Sequence, residues 1–140
     1  MAHHVSTGRR IGVALGAVLA LGAVTLLALE GGEVVTVRTH DSTGQPRDTR
    51  TWIADEGGEA WVEAASPERP FLRDLLADPS LDVWRGGRWH RCRAAVAENP
   101  GGHERIRQLL AEKYGWRDCW IGLIADTRQS LGLRIDCEDA

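Results

Sequence analysis

From Ile11 to Leu29 the chain runs through 19 residues of Ile, Val, Leu, Ala, Gly and one Thr without a charge. Past Gly31 its apolar positions come in short periodic bursts instead. At a rise of ~1.5 Å per residue, a helix over the first stretch matches the ~30 Å hydrocarbon layer of a bilayer. The pattern therefore predicts a transmembrane helix over 11–29, preceded by an N-terminal tail, 1–10, and followed by one domain, 33–137, with a short tail, 138–140. A cleaved secretory signal is the rival reading, because Arg9 and Arg10 precede the apolar run. The exit LLALEGGE, with Leu29 and Glu30 in the way of a small-residue cleavage site, and the length of the run favour an uncleaved anchor.

Within the domain, Glu33 to Thr39 is rich in β-branched residues and puts Val35 and Val37 on one face of a strand. Asp41-Ser-Thr-Gly-Gln-Pro has turn chemistry. Strands follow at Arg47 to Asp55 and Glu59 to Ala65, joined by a hairpin at Gly57-Gly58. At Ser66, Pro67 and Pro70 the pattern changes period: Phe71, Leu72, Leu75 and Leu76 recur at helical spacing, and Pro79 ends the helix. Leu81 to Arg85 and Arg88 to Glu98 form a second hairpin around Gly86-Gly87. Asn99-Pro-Gly-Gly interrupts the chain. A helix over His103 to Tyr114 is capped by Gly115, a second helix covers Trp116 to Ala125, and alternation of Leu131, Leu133, Ile135 and Cys137 marks a closing strand. The order β-β-β-α-β-β-α-α-β predicts an α+β domain. Its six short antiparallel strands bury their shared faces and remove exposed edges by curling into a small barrel with flanking helices.

Charge narrows the function. Excluding Arg9, Arg10 and Glu30, residues 31–140 carry 15 basic and 19 acidic side chains, a net charge of −4, which gives no support for nucleic-acid binding. Arg9 and Arg10 before the apolar run, with Glu30 and Glu33 after it, favour a cytoplasmic N-terminus and an extracytoplasmic domain in a single-pass cell-membrane protein. Arg38 and Arg47 weaken that asymmetry. Gly12, Gly16 and Ala20 share a helix face, a spacing compatible with a homodimer through the anchor. Cys92, Cys119 and Cys137 lack metal-ligand spacing, so no metal site is expected, and small buried hydrophobes is the favoured reading of all three. In an oxidising space two of them would pair and one would remain free. Six tryptophans against one Phe and one Tyr suggest core filling, and at a pocket rim a flat face for a ring system.

Four local phrases carry a further signal: STGQPR at Ser42 to Arg47, AASPERPFLRDLLADP at Ala64 to Pro79, the GGRWHRCRA hairpin, and EKYGW at Glu112 to Trp116. With the strand order, they make the domain resemble the split-barrel flavin-binding superfamily, specifically its deazaflavin-dependent nitroreductase and quinone reductase branch, over about Val34 to Asp136. The resemblance implies a small-molecule ligand, a deazaflavin coenzyme or FMN, in a groove beside the barrel, and an oxidoreductase acting on a quinone-like or nitroaromatic acceptor. It carries cofactor contacts onto Ser42, Thr43, Gly44 and Arg47 in the turn, and onto Ala65, Ser66, Arg69 and Arg73 at the corner. It leaves Tyr114 as a candidate proton donor. The family's turn usually holds a Lys or Arg where this chain has His40 and Asp41. That departure, with the extracytoplasmic orientation, favours the alternative of a redox-inactive binding or assembly module on the membrane. The lipid bilayer, through 11–29, is the second expected partner.

Overall fold

Two of the strand connections in the domain reverse at a glycine pair. Gly57 and Gly58 have φ of 60° and 90°, and Gly86 and Gly87 have φ of 59° and 83°, the left-handed geometry that a two-residue hairpin needs. A computed structural model describes residues 4–138. It contains α1 (His4–Glu30), β1 (Val34–His40), β2 (Pro46–Glu56), β3 (Glu59–Ala64), α2 (Pro70–Ala77), β4 (Ser80–Arg85), β5 (Arg88–Val96), α3 (Gly101–Tyr114), α4 (Trp116–Ile124) and β6 (Leu131–Cys137). The first helix starts at His4, inside the stretch expected as a tail. Residues 1–3 and 139–140 of the two expected tails lie outside the described residues.

The six strands close into an antiparallel barrel in the order β1-β2-β3-β6-β5-β4. Inward residues of alternate parity, among them Val35, Val37, Ile53, Val62, Val83, Leu133 and Ile135, form its core. Helix α2 plugs one side with Phe71, Leu72 and Leu75. A second apolar cluster lies outside the wall, where Ile106, Leu109, Leu110 and Tyr114 of α3 cover Ala54 and Trp61. Helix α3 comes this close because Gly132 has no side chain: a Cβ there would lie 2.6 Å from the Gly102 carbonyl oxygen.

Helix α1 is long and apolar enough over Arg10–Glu30 to cross a membrane, with a mean hydropathy of 2.4. Its side chains from Ile11 to Leu21 stand exposed. Leu26, Leu27 and Leu29 are exposed as well, but other groups of the last turns meet the domain. Ala28 is fully buried, Trp120 Nε1 donates to Thr25 Oγ1 at 3.1 Å, Trp52 Nε1 donates to the Leu29 carbonyl at 3.1 Å, and Arg50 pairs with Glu30 at 2.7 Å. The C-terminal end of α1 is thus packed against the domain.

The sequence reading of the cysteines needs correction. Cys92 and Cys137 are not separate buried thiols: they face each other across the β5–β6 ladder and are joined as a disulfide, while Cys119 is free and exposed. Their partnership follows from barrel closure, which brings together strands that are 45 residues apart in sequence. Arg85, next to the Gly86-Gly87 reversal, bridges Glu33 at 2.6 Å and Asp55 at 2.6 Å. Lys113 of α3 joins the same pair of acids. Together these groups clamp α3 to β2, β4 and the segment leading into β1, and Arg85 and Lys113 hold both carboxyls below their ordinary range.

Candidate functional site

Strands β2 and β3 pair over only part of their length. The β2–β3 ladder runs only from Ile53–Glu56 against Glu59–Val62. The earlier half of β2 stays with β1, while Glu63 and Ala64 turn to β6. Where the strands part there is a cavity of about 350 Å³, within the range of small-molecule pockets. Thr49, Thr51 and Trp52 of β2 form one wall, and Glu63 and Ala65 at the end of β3 form another. Phe71 and Leu110 make the floor, Ile121 of α4 and Leu29 of α1 close the side, and Arg69 stands at the start of α2.

Charge in this cavity is mostly spoken for. Arg50 is paired with Glu30. Glu63 accepts from Arg107 at 3.1 Å, and Arg107 also grips Asp118 at 2.7 Å. Among the described residues Arg69 and Arg73 make no ion pair, and both are exposed. Asp74, their neighbour on α2, points away from them and takes Arg47 Nε and the Thr39 hydroxyl, each at 2.8 Å.

The structure distributes the sequence candidates unevenly. Ala65 and Arg69 line the cavity; Ser66 adjoins them, half-buried, and Arg73 lies one turn further along α2. Ser42, Thr43 and Gly44 sit in the β1–β2 turn and do not line it. That turn is organised by Asp41, whose Oδ1 accepts from Thr43 N at 2.8 Å, Thr43 Oγ1 at 2.6 Å and Gln45 N at 3.0 Å. The Thr43 hydroxyl, with the two N–H donors, holds the Asp41 carboxyl below its ordinary range. The donors that an anion would need already hold a carboxylate. Thr49, Thr51 and Trp52 escaped notice in the sequence because alternation marks them only as strand, and no local signal shows that β3 leaves β2 beside them.

Tyr114 is 5% exposed and stacks on Trp52 with ring centroids 4.5 Å apart. Its hydroxyl lies 2.7 Å from the Ile53 carbonyl and 2.8 Å from that of Glu33, and accepts from Ile53 N–H at 3.2 Å. Burial pushes its pKa up to about 12 from the ordinary 10. In this position Tyr114 fastens α3 to β2 and to the segment leading into β1. Because the chain has a single tyrosine, absorbance at 295 nm reports it alone. The folded protein should ionise near pH 12, and the urea-unfolded chain near pH 10. A folded pKa above the unfolded one means that this stability is complete below pH ~10 and is lost as the pH rises toward ~12. A Tyr114→Phe variant should lose that alkaline slope; coincident titrations in folded and unfolded protein would refute the assignment.

No family model matches the chain, and no curated protein matches it in sequence. Solved structures do. The conserved hypothetical protein Rv2991 of Mycobacterium tuberculosis aligns with a TM-score of 0.59 and 18% identity, covering 84% of this chain and 80% of that one. A structure described as an F420-H2 dependent reductase, FDR-A, aligns at 0.55 and 18% identity over 74% of this chain and 93% of its own. HutZ, described as a heme storage protein of Vibrio cholerae, aligns at 0.56 and 14% identity over 85% and 90%. The chain therefore shares the fold of these structures, a split, six-stranded antiparallel β-barrel. That fold alone does not name a ligand, since function resides in the site and not in the barrel.

Proposed function

We propose that this chain is a membrane-anchored oxidoreductase that binds a flavin- or deazaflavin-type ring where β2 parts from β3 and reduces a quinone-like or nitroaromatic acceptor. The observation that carries the reading is the cavity of about 350 Å³ beside the anchor, walled by Trp52, Phe71 and Leu110. Trp52 and Phe71 offer flat apolar surfaces, and Leu110 helps to exclude water from a bound ring. Arg69, with Ser66 and Arg73 nearby, takes the anionic end of the ligand. The β1–β2 turn at Ser42, Thr43 and Gly44 suits that end poorly, because Asp41 occupies its donors. A bound flavin or deazaflavin would supply hydride transfer, and the protein would supply orientation and shielding. The reductase among the structural neighbours supports a redox role, and Leu29 in the cavity wall supports access from the side of α1 for lipid-soluble acceptors.

Titration with FMN and with a deazaflavin coenzyme tests the reading. Either ligand should quench tryptophan emission at micromolar concentration, and Arg69→Ala should weaken binding by about tenfold through loss of one charged hydrogen bond. If neither ligand quenches or binds, the redox reading is lost. A second reading, a redox-inactive binding or assembly module, is favoured by the Cys92–Cys137 disulfide, which belongs to an oxidising compartment, and by Asp41 in the turn. The same titration separates the two. The disulfide also supports an extracytoplasmic domain, and Gly12 and Gly16, with open space around them, leave α1 free to pair with a second copy.

A further inference from the structure

Helix α4 wears its apolar stripe on the outside. Trp116 is 54% exposed, Leu123 76% and Ile124 54%. Trp116, Cys119 and Leu123 follow one another at i, i+3 and i+7, a single helix face, and all three are exposed. The only acid of α4, Asp118, is turned inward to Arg107. A soluble protein gains nothing from this arrangement, and a short amphipathic helix facing outward marks an interaction surface.

The position of α4 identifies the partner. Trp120 bonds Thr25 of α1, and Thr25 lies four residues inside the end of the apolar run at Leu29. At ~1.5 Å per residue, α4 therefore touches α1 ~6 Å below the point where the run ends. Helices that lie in a membrane interface sit ~5–10 Å into the boundary between headgroups and acyl chains. Arg117 packs beside Gly31, where α1 emerges: a Cβ on Gly31 would lie 2.8 Å from Arg117 Nε. Its guanidinium also stacks over the Trp116 ring at 5.1 Å. A Trp-Arg pair at that height suits the headgroup layer, where Trp rings concentrate. We infer that α4 is an interfacial helix that seats the domain on the bilayer, its Trp116, Cys119 and Leu123 face immersed beside the anchor. The surface is continuous with the exposed apolar side of α1, so lipid covers both. The inference rests on α1 spanning the membrane, and it adds that the mouth of the site lies at the lipid surface, because Ile121 of α4 lines the cavity.

Cys119, the one free thiol among the described cysteines, is a native probe. The full chain would be labelled there with the fluorophore NBD and reconstituted into phosphatidylcholine vesicles containing lipids spin-labelled at carbon 5. In a Cys119→Ser background, Val18→Cys and Gln45→Cys give references for the middle of α1 and for the β1–β2 turn, which lies ~20 Å up β1. The label at Cys119 should be quenched by the lipid probe and shielded from aqueous iodide, with a lipid-to-iodide quenching ratio on the order of tenfold above that at Gln45→Cys. If Cys119 matches Gln45→Cys while Val18→Cys is lipid-quenched, the anchor stands and the seating of α4 is overturned. If Val18→Cys is reached by iodide, the spanning reading falls, and the seating falls with it.

Discussion

With Cys92 and Cys137 both replaced by alanine, the full chain in detergent should unfold with about 4 kcal/mol less free energy, the amount that releasing a cross-link across 45 residues removes in the chain-entropy account. The bond joins β5 to β6, the last strand of the chain, which closes the barrel by lying between β3 and β5. Cys92 is 2% exposed, so its loss also thins the core. Guanidinium unfolding followed by tryptophan emission measures the difference, and reductant should lower the stability of the parent protein but not of the variant. Protein denatured without reductant should show one reactive thiol, Cys119; finding three would sink the assignment. Since such a bond forms and persists on the oxidising side of a membrane, one thiol in protein taken directly from membranes would also place the domain outside the cytoplasm.

The limits of the sequence are instructive in this light. All six strands and the helices after α1 were legible locally, because β-branched alternation and paired glycines act over a few residues: Val35 and Val37 declare a strand, and Gly57-Gly58 declares its reversal. What depends on closure was not. Nothing near Cys92 announces Cys137, nothing near Arg47 announces Asp74, and nothing near Arg85 announces Glu33, since each partner arrives from a different strand or helix. The candidate site was half visible for the same reason. Ala65 and Arg69 follow a change from strand to helix period that any reader can see, whereas the opposite wall, Thr49 to Trp52, becomes a wall only because β3 departs from β2. Helix α4 shows a different limit. Its apolar face, with Trp116 and Leu123, was readable as apolar, but periodicity does not say whether such a face meets a core or a bilayer.

Removing Arg107 should destabilise the protein by about 3–5 kcal/mol, the range found when one partner of a buried charge cluster is deleted. Arg107 leaves α3 to reach Glu63 of β3 at 3.1 Å and both oxygens of Asp118 on α4 at 2.7 Å. Its side chain is 21% exposed, that of Glu63 13% and that of Asp118 7%. In Arg107→Ala two carboxylates would stay in this shielded space without a cation, and α4 would lose its tie to α3. Arg107→Lys should recover only part of the loss, because a single ammonium cannot reproduce the planar fork that serves both acids. The decisive comparison is the triple variant Arg107→Met, Glu63→Gln, Asp118→Asn. If the penalty comes from stranded charge, this neutral version should return to within about 2 kcal/mol of the parent despite lacking every ion pair. If the triple variant is as unstable as Arg107→Ala, the cluster stabilises through its own attraction and not by avoiding a stranded charge. A loss below about 1 kcal/mol in Arg107→Ala, the size of an ordinary surface pair, would show that α4 is held by its contact with α1 instead, through Trp120 and Thr25.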